Sequence, residues 1–212
     1  MSANFDRRKL LGMAGATMLA AAAAPAFAEP AAENAKTHRL VTGNGEWTYE
    51  IVPEWGKPPA GTQFGGTHGA IATDKAGRVY VSTQSETGIL VYDASGKLLQ
   101  KIAHEYPEVH SIFYAVENGD EIFYTVVQKG TPKENWLVVK MKTDGTVLQK
   151  ITAPPEAGFK TPNEWRITSV VVGPDSSLYV ANGYGDSRIF RFDKEGNYKA
   201  SFTHKGSGDG EC

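Results

Sequence analysis

The sequence predicts an all-β fold of the β-propeller type, on three observations. After residue 36, stretches with helical apolar spacing nearly vanish. Short runs of β-branched and aromatic residues, bounded by Gly, Asp and Asn, take their place. The 212 residues include 23 glycines, 11 prolines and 22 aromatics, a composition suited to many strands joined by turns. Finally, three segments repeat one plan: a first strand, a turn, a core strand, a polar loop, a third strand, an Asp/Gly turn and a fourth strand.

Before the repeats, residues 1–28 have the features of an export signal. Arg7-Arg8-Lys9 precede an Ala-rich apolar stretch from Leu10 to Ala24, and Ala26-Phe27-Ala28 forms an A-x-A cleavage site. The run Asp6-Arg7-Arg8-Lys9-Leu10-Leu11 resembles the twin-arginine export motif. The apolar run is shorter than the ~20 residues of a spanning helix. A cleaved signal, no stable membrane span and a periplasmic or secreted product are therefore expected. Residues 29–39 form a polar, Ala-rich linker, and residues 40–212 form the propeller.

In the first repeat, Gly69-Ala70-Ile71-Ala72 leads through Asp74-Lys75-Ala76-Gly77 to Val79-Tyr80-Val81, then Ile89 to Tyr92, Asp93 to Gly96, and Leu98-Leu99. The second runs from Ser111 to Tyr114 through Asn118-Gly119-Asp120 to Ile122-Phe123-Tyr124, then Leu137-Val138-Val139, Thr143-Asp144-Gly145 and Val147-Leu148. The third runs from Thr168 to Val171 through Pro174 to Ser177 to Leu178-Tyr179-Val180, then Ile189 to Phe192, Asp193 to Gly196 and Tyr198. The turn glycines Gly96, Gly145 and Gly196 are 49 and 51 residues apart, the period of a propeller blade. A β-sandwich has strands of similar spacing but does not require one turn at one phase three times. Three blades do not close a ring, so the chain reads as about half of a propeller, with residues 205–211 as a loop towards a further blade.

Composition also narrows function. The net charge of −2 gives no footprint for nucleic acid. The single cysteine, Cys212, allows no disulfide within the chain. The sequence has no phosphate-cradling glycine loop, C-x-x-C pair or G-x-S-x-G elbow. His68 and His110 each open a blade at the same phase and so face one channel as a potential pair, with hydrogen bonding to neighbouring backbone as the alternative for each. His38, His104 and His204 fall on exposed segments.

The third repeat carries a family resemblance. Asn182-Gly183-Tyr184-Gly185-Asp186-Ser187-Arg188-Ile189 resembles the D-G-Y-x-N-S-R-I/V run of NHL-type six-bladed propellers, with Asn182 where the motif usually has aspartate. Phe192-Asp193-Lys194-Glu195-Gly196 and the tail from Lys205 to Glu211 fit the same family. Within it, the run is most similar to the peptidyl-α-hydroxyglycine α-amidating lyase branch. The first two repeats match mainly in strand plan and turns.

That resemblance implies a zinc ion in a central channel, held by three histidines from different blades, and a structural calcium. It also implies a catalytic tyrosine and cleavage of a C-terminal α-hydroxyglycine into a peptide amide and glyoxylate. Tyr184 matches the motif tyrosine. His110, in His110-Ser111-Ile112, matches the start of the first zinc-binding blade, with Val109 for proline and Ser111 for glycine. The other ligands are expected beyond residue 211. Arg188 and Arg166 are candidates for a substrate carboxylate, which a guanidinium grips with two parallel hydrogen bonds. For Arg188 a structural pairing with the adjacent blade is the competing role.

Two classes of function thus stand open: a zinc lyase acting on a small peptide or other carbinolamide, and a non-catalytic propeller that binds a protein, glycan or small molecule. Replacing both Arg7 and Arg8 by lysine should leave uncleaved precursor in the cytoplasm, read by fractionation. Normal export of that variant would refute the twin-arginine route.

Overall fold

The computed structural model describes residues 40–66, 68, 70–128 and 136–211. The predicted signal and linker, His38 and Cys212 lie outside the described residues. The described residues divide into two compact units, with the boundary between Ile51 and Val52.

In the first unit, β1 (Leu40–Asn44) and β2 (Trp47–Ile51) form an antiparallel hairpin pairing Leu40 with Ile51 and Asn44 with Trp47. Gly45, at φ 60°, supplies the left-handed conformation that a two-residue hairpin turn favours. Every residue of both strands is exposed, Trp47 and Tyr49 included.

The second unit is built from three four-stranded antiparallel meanders, the blades of a β-propeller. The first blade has β3 (Ile71–Thr73), β4 (Val79–Ser82), β5 (Ile89–Tyr92) and β6 (Leu98–Ile102). The second has β7 (Val109–Glu117), β8 (Asp120–Val127), β9 (Leu137–Lys142) and β10 (Val147–Ile151). The third has β11 (Ser169–Val172), β12 (Leu178–Ala181), β13 (Ile189–Phe192) and β14 (Tyr198–Phe202). In each, sequence neighbours are sheet neighbours. The first strands meet across blades, β3 against β7 and β7 against β11, so the segments that lead into them gather at one place. Two 3₁₀ turns, Pro155–Ala157 and Pro162–Glu164, link the second blade to the third.

Strand periodicity explains the packing. Along β8, Ile122, Tyr124 and Val126 enter the core shared with the third blade, whereas Phe123 and Val127 enter the core shared with the first. A blade covered on both faces must be apolar on both, which is why β8 reads as a nearly continuous apolar run. Trp136, Trp165, Val180 and Phe190 fill one side. Tyr80, Val91, Val139 and Met141 fill the other, where the Tyr80 and Phe123 rings meet edge-on at 4.6 Å.

The repeated turn glycine has two duties. Gly145 and Gly196 have φ of 91° and 83°, which residues with a Cβ rarely adopt. A Cβ on Gly145 would also lie 3.2 Å from Ile102 of the preceding blade, and one on Gly196 3.2 Å from Ile151. Ile102 and Ile151 are the buried last residues of β6 and β10, so the same turn seats on the same position of each preceding outer strand.

Asp74 organises the first hairpin. Its carboxylate accepts from the Arg78 backbone N–H at 2.8 Å, Arg78 Nε at 2.5 Å and the Tyr80 hydroxyl at 3.0 Å. Burial alone would push this carboxyl up, but the Arg78 and Tyr80 bonds outweigh it and hold it below the usual range. Burial of the ring, helped by the same contact, pushes Tyr80 up to about 12. A carboxyl with a depressed folded value contributes stability that is complete above its unfolded value and is lost as pH falls through the folded one. Asp74→Asn should therefore cost about 1–3 kcal/mol at neutral pH and flatten the loss of stability below about pH 4, measured by denaturant unfolding. An unchanged acid limb would remove Asp74 from that role.

Candidate functional site

His110 is placed by a β-bulge. Val109 pairs with Val127 and Ser111 with Val126, leaving His110 as the extra residue of β7. A bulge re-aims a side chain, here into the space where the blades meet. The ring is 8% exposed, and its Nδ1 lies 2.7 Å from the Thr168 carbonyl oxygen. A carbonyl can only accept, so Nδ1 carries the proton and Nε2 presents a lone pair. Burial pushes the proton affinity of His110 down. The Thr168 carbonyl opposes this, and the nearby His68 ring adds to it, so the net direction is downward.

His68 lies in the loop before β3. That loop is pinned by a parallel bridge between Gly65 and Gln84, in which the Gln84 N–H donates to the Phe64 carbonyl at 2.8 Å. Gly65 has φ 70°, and a Cβ there would come within 2.1 Å of the Gln84 carbonyl oxygen, so only glycine permits this approach. His68 Nδ1 meets Gln84 Oε1 at 2.9 Å. The Gln84 amide continues to Gln128 Oε1 at 3.4 Å, and Gln128 Nε2 donates to the Ile167 carbonyl at 2.9 Å.

Tyr184 comes from the loop after β12. Asn182, fully buried, braces this loop: its Oδ1 accepts from the Arg166 N–H at 2.5 Å, and its Nδ2 donates to the Glu164 carbonyl at 2.7 Å and to Asp186 Oδ1 at 2.9 Å. The position must both accept and donate, which an amide does and a carboxylate cannot. This accounts for asparagine where the resembling motif carries aspartate. A Cβ at Gly185 would lie 2.3 Å from Asn182 Nδ2, so the loop closes tightly on the amide. The Tyr184 N–H donates to the Arg166 carbonyl at 3.1 Å.

These elements bring three predicted residues together. The Tyr184 hydroxyl lies 2.9 Å from His68 Nε2 and 3.2 Å from His110 Nε2. The two imidazoles stack with centroids 4.0 Å apart, and Tyr184 remains 41% exposed, open to an incoming molecule. Arg166 joins them. Its guanidinium lies 5.8 Å from the ring centroids of both Tyr184 and Trp136, and among the described residues its buried Nε has no hydrogen-bond partner.

Arg188 does not join this cluster. Its Nε donates to Asp186 at 2.5 Å and a terminal nitrogen donates to the Ala157 carbonyl at 3.0 Å. Its guanidinium sits over the rings of Phe159 and Phe190, at 4.9 and 4.8 Å. Those contacts occupy the group in packing the third blade on the segment before it. His204 pairs with Glu211, and His104 lies in the exposed turn after β6. Among the described residues no three His, Cys, Asp or Glu side chains gather. The third donor beside the imidazoles is the tyrosine oxygen.

Gln84 and Gln128 are functional candidates that sequence reasoning missed, although a signal existed. Each blade carries a carboxamide just after its second strand: Gln84, Gln128 and Asn182 follow β4, β8 and β12 within two residues.

No family model matches the sequence, and no curated protein sequence is similar to it. Solved structures with similarity include virginiamycin B lyase from Staphylococcus aureus, with 15% identity, TM-score 0.44, and 63% of this chain against 40% of that one. A protein of unknown function from Bacteroides caccae aligns with 16% identity, TM-score 0.46, and 76% against 51%. A streptogramin B lyase aligns with 14% identity, TM-score 0.38, and 63% against 53%. The chain thus spans between two fifths and about half of the length of these structures.

Asn182→Asp tests the bracing of the tyrosine loop. It sets a carboxylate against the Glu164 carbonyl and the Asp186 carboxylate in a buried position. It should cost about 1–3 kcal/mol of stability by chemical denaturation. An unchanged midpoint would show that the amide donors are not needed.

Proposed function

We propose that the chain carries part of the active site of a zinc-dependent carbon–nitrogen lyase that acts on an N-acyl-α-hydroxyglycine or a related carbinolamide. The convergence of His68 Nε2, His110 Nε2 and the Tyr184 oxygen from three blades is the observation that supports this reading. Zinc takes imidazole nitrogen at about 2.0–2.1 Å in tetrahedral geometry, which separates neighbouring donor atoms by about 3.3 Å. The 2.9 and 3.2 Å separations here, and the bare lone pair of His110 Nε2, fit such an ion. His68 and His110 would hold it, and when bound it would supply Lewis acidity at the carbinolamide hydroxyl.

The chain's own residues have the remaining tasks. Tyr184, as the phenolate that a bound cation would favour, would take the hydroxyl proton as the carbon–oxygen double bond of glyoxylate forms. The C–N bond breaks, its electron pair goes to nitrogen, and a proton delivered there completes the amide. Arg166, whose guanidinium rests on ring faces, can grip the carboxylate of the α-hydroxyglycine. Arg188 is committed elsewhere by Asp186 and Ala157.

Catalytic zinc normally takes three protein ligands, whereas this chain offers two imidazoles and a phenol. The 212 residues are therefore expected to hold zinc weakly and to lose it on dialysis, with His68→Ala and His110→Ala each abolishing the residual binding in a calorimetric titration. In the protein with any further blades present, glyoxylate release from an N-acyl-α-hydroxyglycine should require zinc. Tyr184→Phe should slow it by about 10²-fold or more. Zinc binding indifferent to both histidines would overturn the metal site. Metal-independent behaviour with no glyoxylate released would leave a binding module instead.

A further inference from the structure

We propose that Gln84 and Gln128 form a one-way hydrogen-bond relay that fixes the tautomer of His68 and keeps its Nε2 a bare lone pair facing Tyr184. The direction is set at the buried end. The Ile167 carbonyl can only accept, so Gln128 must present its NH₂ there, at 2.9 Å. Its other atom, Oε1, then faces Gln84, which must answer with its own NH₂, at 3.4 Å. Gln84 is left to offer Oε1 to His68, and the atom it meets at 2.9 Å, Nδ1, must carry the imidazole proton.

The alternative that the relay prevents is a closed, fully satisfied chain. With the proton on Nε2, His68 would donate to the Tyr184 oxygen and Tyr184 would donate to His110 Nε2. Nothing at the site would then be left for a cation. With the proton on Nδ1, both imidazole Nε2 atoms and the phenol oxygen carry lone pairs, and the single hydroxyl proton can satisfy only one of the two Nε2 acceptors. The relay thus leaves the cluster one donor proton short without changing its charge, so a lone pair is left over for a cation. Gln84 and Gln128 are positioning residues: they touch no substrate and act only through His68. This inference rests on the zinc reading above for its use, but not for its test.

The test reads tautomers directly. Two-bond ¹H–¹⁵N correlation spectra of the metal-free chain, labelled in histidine and held at about pH 8 so that imidazoles are neutral, show which nitrogen of each ring carries the proton. His68 and His110 should both be Nδ1–H. Gln84→Leu should move His68 to the Nε2–H form and leave His110, held by Thr168, unchanged, which also shows that the fold persists. Gln84→Glu, which restores an acceptor, should return His68 to Nδ1–H. Zinc affinity should fall by about 10–100-fold in the leucine variant and recover in the glutamate variant. An Nε2–H tautomer in the unsubstituted chain, or a His68 tautomer unmoved by Gln84→Leu, would overturn the relay. No zinc binding to any variant, with the tautomers as expected, would overturn the zinc reading and leave the relay standing.

Discussion

Five residues ahead of the third blade, Glu164 to Thr168, set the geometry of everything around the site. Their backbone groups serve the second and third blades directly, and the first through Gln128 and Gln84. The Glu164 carbonyl and Arg166 N–H are taken by Asn182, the Arg166 carbonyl by the Tyr184 N–H, the Ile167 carbonyl by Gln128 and the Thr168 carbonyl by His110. The Thr168 N–H donates to the Ala181 carbonyl at 2.8 Å, which ties the segment to the ladder of its own blade. Trp165 nails it down, with a fully buried ring whose Nε1 donates to the Trp136 carbonyl at 2.8 Å. Backbone carbonyls cannot reverse their polarity, so the tautomer of His110 and the orientation of the carboxamides both follow from how this one segment is held.

A site assembled from three blades is only as well defined as the contacts between them. Those contacts repeat. Gly145 packs on Ile102 and Gly196 on Ile151, while the Lys75 N–H of the first blade donates at 2.7 Å to Glu121 of the second, whose same oxygen accepts from the Tyr114 hydroxyl of its own blade. The apolar faces of β8 then divide between the two neighbours. A shift of one blade by an ångström would break the approach of His68 and His110 to one hydroxyl, because hydrogen bonds of 2.9 and 3.2 Å have little slack.

Much of the fold was visible in the sequence because its cause is local and repeated. Period-2 runs give the strands, and an Asp/Gly turn at one phase gives the blade. The phase shared by His68 and His110, with the tyrosine of the third repeat, was enough to bring three site residues to one place. What escaped were features that arise only when loops cross. The bulge that turns His110 inward leaves no mark in the alternation of β7, since one extra residue looks like any other. The partnership of Gln84 with Gln128 joins loops 44 residues apart. Arg188 sits in the motif beside Tyr184, yet its side chain is claimed by Asp186, which only the turn geometry reveals.

The chemical character of the cluster follows from which polar groups surround it. The imidazoles are oriented by a backbone carbonyl and a neutral amide rather than by carboxylates. A carboxylate in either place would fix the same tautomer and also stabilise the imidazolium. Neutral acceptors fix orientation without favouring that charge, and the burial of His110 pushes its proton affinity down further. Arg166 follows the same logic with the opposite sign. The faces of Trp136 and Tyr184 stabilise its charge through their π systems, and no carboxylate among the described residues claims its fork. The cluster therefore presents lone pairs on one side and a guanidinium on the other, a polarity that the proposed α-hydroxyglycine substrate, with its hydroxyl near a carboxylate, would match.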